Sequence, residues 1–328
     1  MVTSPLPPIA PSFDEFVEAQ PRPLVALVGC TDLHHALTAR KNPNEICARY
    51  LSLPVESKLL DHQPEKDHPG LLKNDWLYKR TYVVAGVVSL WCAWDAETPS
   101  GPILQQIEEL RARGRPSCKV VLVLVQRPAL AQGPLSPVKD DDRLGQLRKA
   151  ADLDSKSLLS LMQTAGEGAG AQFDETTTRR VERALLDAAL AYYKDEARLN
   201  KAAARQARTL EPRLLARHHF KRGYYSEVRR DEAAAAKHWA ACYSALREVL
   251  RLVVSASSSC TASLHEVKRV SEFVSRKICT AHLAAGRVAE GFDFFRRHIR
   301  LFRPWTSAGT QPAAAAAVHL HWGWICKQ

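Results

Sequence analysis

Two pairs of residues in this chain have the spacing of metal ligands. His238 and Cys242 lie four apart, and Cys279 and His282 lie three apart, each pair within a helical pattern. Residues at such steps share a helix face, and four donors of this kind can enclose a tetrahedral zinc. The competing account is packing, because cysteine is commonly a small buried apolar residue and a histidine near a helix seam is usually half-covered. Packing is the stronger reading, and no metal is expected. Asp140, Asp141 and Asp142 are the other acidic candidate. They stand at the start of a helical pattern, where negative side chains suit the positive end of the helix dipole, so capping accounts for them.

Phosphate and acyl chemistry find less support. The chain holds no GxxxxGK[ST] loop, no GxSxG elbow and no HExxH. The turn after the first apolar run has one glycine, Gly29, followed by Cys30, Thr31 and Asp32. A dinucleotide site needs several glycines there for the backbone to approach a pyrophosphate. Gly166, Gly168 and Gly170 follow no convincing strand and read as a linker. His218 and His219 read as a packed and exposed pair. The segment from Arg217 to Arg230 (RHHFKRGYYSEVRR) mixes basic and aromatic residues as single-strand binders do. Phe220, Tyr224 and Val228 nevertheless fall on one helical face, which assigns these aromatics to a core. No catalytic, cofactor-binding or metal residue is therefore expected, and neither a small-molecule substrate nor nucleic acid. An enzyme built on the first half and a nucleic-acid-binding helical repeat are the alternatives.

The elements behind these residues fall into two patterns. Leu24–Val28, Val83–Trp91, Lys119–Gln126 and Ser157–Leu161 read as strands. Helical patterns over Thr31–Arg40, Ile103–Gly114 and Asp140–Asp152 separate them. Continuous apolar strands alternating with helices predict an α/β unit whose mostly parallel sheet is covered on both faces. Pro54–Lys73 and Pro128–Pro137 read as surface loops. From Asp174, a plausible N-cap, one long helix is expected to about Arg208, with Val181, Leu185, Ala188 and Tyr192 on one stripe.

Leu214 to Arg303 then reads as four amphipathic helices in two antiparallel pairs. Ala236, Trp239, Tyr243, Leu246, Leu250 and Val253 line one face of the second, and Val288, Phe292, Phe295, Ile299 and Phe302 one face of the fourth. Trp239, Tyr243, Phe292, Phe295 and Ile299 are accordingly expected to be buried. Ala285 to Phe292 resembles the turn and second helix of a tetratricopeptide unit, with a glycine ending one helix and a small residue admitting the next. Ser255–Ser259 and Trp305–Pro312 read as loops, and Ala313–Gln328 as the start of a further helix. The organisation expected is a disordered Pro-rich stretch over 1–21, an α/β domain over 22–165, a Gly-rich linker over 166–173 and an α-solenoid of TPR-like hairpins over 174–328, interrupted at Gln328. Helical-repeat surfaces bind other proteins, which favours a scaffold over an enzyme.

Charge sharpens that division. Residues 1–200 hold 24 of the chain's 46 Lys/Arg and 26 of its 35 Asp/Glu, which leaves 22 against 9 in residues 201–328. The basic excess thus belongs to the helical half, and its field favours acidic protein or anionic lipid. Arg217, Lys221, Arg222, Arg229 and Arg230 are the candidate partner-binding residues. No charged n-region followed by an apolar core opens the chain, and no apolar run approaches the roughly 18 residues that span a bilayer. Eight scattered cysteines without a CxxC fit reduced thiols in the cytosol.

An ordered series of short matches identifies a family resemblance. Arg22-Pro23-Leu24, Gly70-Leu71-Leu72-Lys73 before Trp76, Trp94-Asp95, Lys119-Val120 and Lys156-Ser157-Leu158 carry it in the first half. Arg217-His218-His219-Phe220-Lys221, Tyr225-Ser226-Glu227-Val228, Ala236-Lys237, Ala241 and Tyr243 continue it. Glu266-Val267-Lys268, Phe273, Lys277-Ile278-Cys279, Phe295-Arg296-Arg297-His298-Ile299, His321 and Lys327-Gln328 complete it. In these residues the chain resembles the N-terminal portion of the foie gras family, subunit 11 of the trafficking protein particle (TRAPP) complex. The alanine-rich tracts and the basic second half depart from it. The resemblance implies a non-catalytic subunit that helps assemble the TRAPP III form of the complex, a Rab guanine-nucleotide exchange and tethering factor in ER-to-Golgi transport and autophagy. The exchange chemistry would lie in other, smaller subunits. It further implies other TRAPP subunits and, indirectly, a Rab GTPase as partners, with peripheral contact at ER–Golgi intermediate compartment and Golgi membranes.

Overall fold

The structure is a computed structural model that describes residues 16, 20–29, 37, 47–62, 68–73, 75–95, 97–126, 137–162, 173–207, 211–255 and 261–302. Five parallel strands form its sheet: β1 (Leu24–Val28), β2 (Arg49–Leu53), β3 (Val87–Ala93), β4 (Lys119–Gln126) and β5 (Leu158–Met162), in the order β2-β1-β3-β4-β5. All five residues of β1 are buried, and so are Val120 to Leu124 of β4. Such strands read as continuous apolar runs because both faces are covered.

One face packs on α1 (Ser100–Arg113) and α2 (Pro137–Ala150) through Ile103, Ile107, Leu110 and Leu147. The other packs on α3 (Glu175–Ala207), whose Val181, Leu185 and Ala189 lie against Val25, Val87, Val121 and Leu159. Asp174 accepts a hydrogen bond from the Thr177 amide at 3.3 Å, the cap that its position implies.

The C-terminal part of α3 leaves the sheet and joins a helical stack. That stack continues with α4 (Pro212–Val228), α5 (Glu232–Ser255), α6 (Thr261–Ala284) and α7 (Val288–Phe302), each packed on the one before it. Pro212 opens α4 at a position that needs no amide donor. Arg230, in the left-handed region at φ 58°, reverses the chain after α4. Asp231 then caps α5 by accepting from the Ala234 amide at 3.1 Å. The core of the stack is aromatic, with Phe220 edge-on to both Trp76 and Trp239 and tilted against Phe273.

Several expectations shift. The strand placed at Val83–Trp91 starts at Val87, because Lys79–Val83 forms a wide helical turn after the short turn Trp76–Tyr78. Arg49–Leu53, which carries no unbroken apolar signature in the sequence, is the edge strand β2, paired on one side only, and its mixed burial matches its mixed sequence. Helix α2 begins at Pro137, three residues before Asp140. Apart from Leu37, which is buried against the sheet, the helix expected over 31–40 lies outside the described residues, as do the glycines of 166–170, the final helix over 313–328 and most of the loops over 128–137, 255–259 and 305–312.

The largest correction concerns α7. Phe292 is 60% exposed and Val288 61%, while Phe295 and Ile299 are half-buried. The seam against the stack is instead Gly291, His298 and Phe302, with Phe294 and Leu301 packed beside them. The apolar residues of α7 occupy a wide arc, and only one side of that arc meets α6 and α5. Trp239 and Tyr243 are buried as expected.

Candidate functional site

In an open parallel sheet, ligands enter at the carboxyl ends of strands where the strand order reverses. Here that point lies between β1 and β3. Gly29, at φ 78°, turns the chain away from β1, and a Cβ there would stand 2.6 Å from the Trp91 carbonyl oxygen. The backbone at the end of β1 therefore lies close to β3 and leaves no room for a side chain at position 29. Beyond β3, Arg143 stacks over Trp94 at 4.5 Å and donates to the carbonyl oxygens of Asp95 and Thr98 at 3.2 and 3.0 Å. Asp95 itself is held below the usual carboxylate range, mainly by the Thr98 hydroxyl that donates to it at 2.6 Å. These groups satisfy one another and present no base or nucleophile.

A second region, at the amino-terminal ends of β3 and β4, joins the sheet to the helices. The segment from His68 to Trp76 crosses to the stack, and residues far apart in sequence hold it there. Arg217 donates from Nε to the Leu71 carbonyl at 3.0 Å and from Nη2 to the carbonyls of His68, at 2.6 Å, and Gly70. Glu266 accepts from the Leu72 amide at 3.0 Å. Behind the segment, Arg80 is 4% exposed; it donates to the Tyr192 hydroxyl at 3.0 Å and stands 3.8 Å from Glu196. Glu196 also accepts from Ser117 and Tyr225 at 2.8 and 3.2 Å. Burial raises the hydroxyl pKa of Tyr192, and that of Tyr225 well above its ordinary value. Further along, Glu227 accepts from the Trp239 indole at 2.8 Å and pairs with Lys277 at 3.0 Å.

Between the turn at Lys58–Asp61 and this crossing segment lies a cleft of about 160 Å³. Its apolar lining includes Leu59, Leu60, Trp76, Val83, Val84 and Ala85. Five cations, Lys58, Lys73, Lys79, Arg80 and Arg115, face two acids, Asp61 and Asp75. Both acids are engaged, Asp61 with Arg113 at 2.8 Å and Asp75 with Lys79 at 2.7 Å. No sequence motif marks this cleft. The only signal was the polar composition of 54–73, which reads as a surface loop.

The five basic residues singled out from sequence are all half-buried. Arg217 serves the crossing segment. Lys221 lies 5.7 Å from the Trp76 ring. Arg229 stands 4.0 Å from Asp231. Arg222 and Arg230 have their pKa values lowered, first by burial and then by Arg205 and Arg22 respectively. Helix α4 is packed on both α3 and α5, so its basic residues border neighbours instead of forming one outward face.

The cysteine and histidine pairs go to separate partners. His238 Nδ1 is 3.4 Å from His219 Nδ1, and Cys242 donates to the Ala216 carbonyl at 3.3 Å. Cys279 approaches the Gly291 carbonyl at 3.7 Å. Among the described residues no cluster of three or more His, Cys, Asp or Glu could hold a metal ion. Burial lowers the pKa of His218 and of His238 to about 4, with nearby Lys221 and Arg222 adding to the shift at each in turn. No helix of the described residues is long and apolar enough to cross a membrane.

Comparison with known proteins gives one consistent likeness. The chain is 26% identical, over 94% of its length, to trafficking protein particle complex subunit 11 of Bos taurus, Homo sapiens and Gallus gallus. It spans 27% of the length of those relatives. No protein-family model matches it. The resemblance read from the sequence is therefore shown across almost the whole chain. Several of the residues that carried it lie in these networks: Arg217, Glu266 and Tyr225 at the joint between sheet and helices, and Glu227 with Lys277 inside the stack.

Proposed function

We propose that this chain is a non-catalytic scaffold in a TRAPP-type trafficking assembly, holding other subunits on its helical half. The observation that supports this best is the likeness to subunit 11 over 94% of the chain. The finer reading is the TRAPP III form, acting with a Rab GTPase in ER-to-Golgi transport and autophagy. It places the chain in the cytoplasm and peripherally at ER–Golgi intermediate compartment and Golgi membranes.

The helical half is the part suited to this role. Gly286, at φ 70°, ends α6, and the Arg287 amide bonds back to the His282 carbonyl at 2.9 Å. A Cβ on Gly291 would stand 3.2 Å from His282 Cβ, so a small residue lets α7 close on α6. This is the local chemistry of a TPR-like hairpin, and the open apolar side of α7 is what an α-solenoid offers to its next element. The units proposed are an α/β domain over 22–165 and a helical array over 174–328, sharing α3 as their common wall. Within the array Arg217, Lys221, Arg222, Arg229 and Arg230 contribute a field that favours acidic protein or anionic lipid.

Affinity purification of the chain from cells, read by mass spectrometry, tests the assembly role. Stoichiometric recovery of other TRAPP subunits is expected. Recovery of none of them, or of nucleic acid that is lost steeply with salt, contradicts it.

A further inference from the structure

The cleft between the Lys58–Asp61 turn and the crossing segment has a chemistry of its own. Its two acids are already paired with Arg113 and Lys79. Arg80 is turned inward to Tyr192 and Glu196. Lys58 and Lys73 differ: among the described residues neither ammonium has an ion-pair or hydrogen-bond partner. They stand on the rim of a lining that is apolar and open, since Leu59 is 50% exposed and Val83, Val84 and Ala85 are half-buried.

We infer that this cleft is a binding site for a short acidic peptide segment of a partner protein, seating one aliphatic side chain between carboxylates that reach Lys58 and Lys73. Size decides against a nucleotide or a cofactor. Pockets for such ligands run to roughly 300–1,000 Å³, whereas this one holds about 160 Å³, room for a side chain. Lining decides against a bare anion, because a phosphate gains nothing from Leu59, Val83 and Val84, while an aliphatic side chain does. Charge decides the flanks. Two uncompensated ammonium groups beside apolar surface steer carboxylates and fix their register. The site lies at the amino-terminal ends of β3 and β4, away from the usual ligand entrance of such sheets, and at the joint with the helical stack. Its lining residues all belong to the α/β half, and one of them, Trp76, packs edge-on against Phe220 and Tyr224 of α4.

This inference rests on the assembly role but fails separately from it. The probe is a fluorescein-labelled peptide, Glu-Asp-Leu-Glu-Asp, titrated with the full chain and followed by anisotropy. Saturable binding that weakens as salt rises is expected. The double variant Lys58→Glu with Lys73→Glu should lose affinity by tenfold or more, on the order of 1.4 kcal/mol or greater. Leu59→Asp, at a half-exposed position that the fold tolerates, should lose it too without changing either ammonium. The neutral peptide Gln-Asn-Leu-Gln-Asn should not bind, and inorganic phosphate at equal ionic strength should compete no better than chloride. The inference is overturned by the absence of saturable binding, by equal binding of the neutral peptide, by variants that bind like the parent, or by specific displacement with phosphate. A chain that still recovers TRAPP subunits but shows any of those results loses the cleft and keeps the scaffold role.

Discussion

The sheet and the helical stack reach their cores by different physics. In the sheet, β1 and the middle of β4 are wholly buried between α1 and α2 on one side and α3 on the other, and the contacts are mostly aliphatic, with Tyr50, Trp91 and Trp94 the buried aromatic members. In the stack, buried charge and hydroxyl groups thread an aromatic core: Arg80 with Tyr192, Glu196 with Ser117 and Tyr225, Glu227 with Trp239 and Lys277. An aliphatic core tolerates exchange of shapes at constant volume. A polar network does not tolerate the loss of one member, because its partner stays buried and charged. The joint between the halves combines both kinds: Leu71 and Leu72 are buried in the core of the stack, while Arg217 and Glu266 hold the backbone of the segment 68–73.

Four results can break or sharpen that contrast. The largest effect is expected for Glu196→Ala, which removes the carboxylate opposite a guanidinium that is 4% exposed. A loss of about 3–5 kcal/mol in urea unfolding is predicted. Leu122→Ile in the sheet, which keeps the side-chain volume, should cost under about 1.5 kcal/mol. Equal losses at the two sites would erase the distinction. Phe220→Ala, which empties the centre of the aromatic cluster, should cost about 3–5 kcal/mol, whereas Phe292→Ala at its exposed position should stay within about 0.5 kcal/mol. A costly Phe292 would mean that the free side of α7 is covered.

Acid should separate the halves more gently. His218 and His238 titrate near 4 in the folded chain, below the ordinary histidine value. The unfolded chain therefore takes up more protons between about pH 6.5 and 4. Their contribution is intact above the ordinary histidine value and is lost as pH falls through that window. Amide exchange at pH 7 and pH 5 should show α4 and α5 losing protection before β1 and β4 do. The reverse order would place the acid-sensitive groups elsewhere. The smallest effect is a null one: ATP, GTP and NAD should leave the melting temperature unchanged, and elemental analysis should find no stoichiometric zinc. Saturable stabilisation by a nucleotide would reinstate the sheet as an active site.

Periodicity made most of the elements legible. Leu24–Val28 and Lys119–Gln126 match the strands residue for residue, because a doubly covered strand has one unbroken apolar signature. Edge strand β2 has no such signature, and its Arg49 and Ser52 hid it. On α7 the stripe Val288, Phe292, Phe295 and Ile299 is a real apolar arc, but periodicity cannot say which part of an arc finds a neighbour. The same limit hid the inward use of Arg217, since its acceptors are carbonyls 146 or more residues earlier in the chain. The cleft was illegible because Lys58 and Lys73 meet only through the fold.

The proposed scaffold role predicts that partners engage the helical half and its joint with the sheet. Amide exchange of the chain, free and within the assembly recovered from cells, tests this most directly. New protection is predicted along α4 to α7 and at residues 58–61 and 73–85, with none after β1 and β3. Protection concentrated after β1 and β3, with the helices unchanged, would contradict the account.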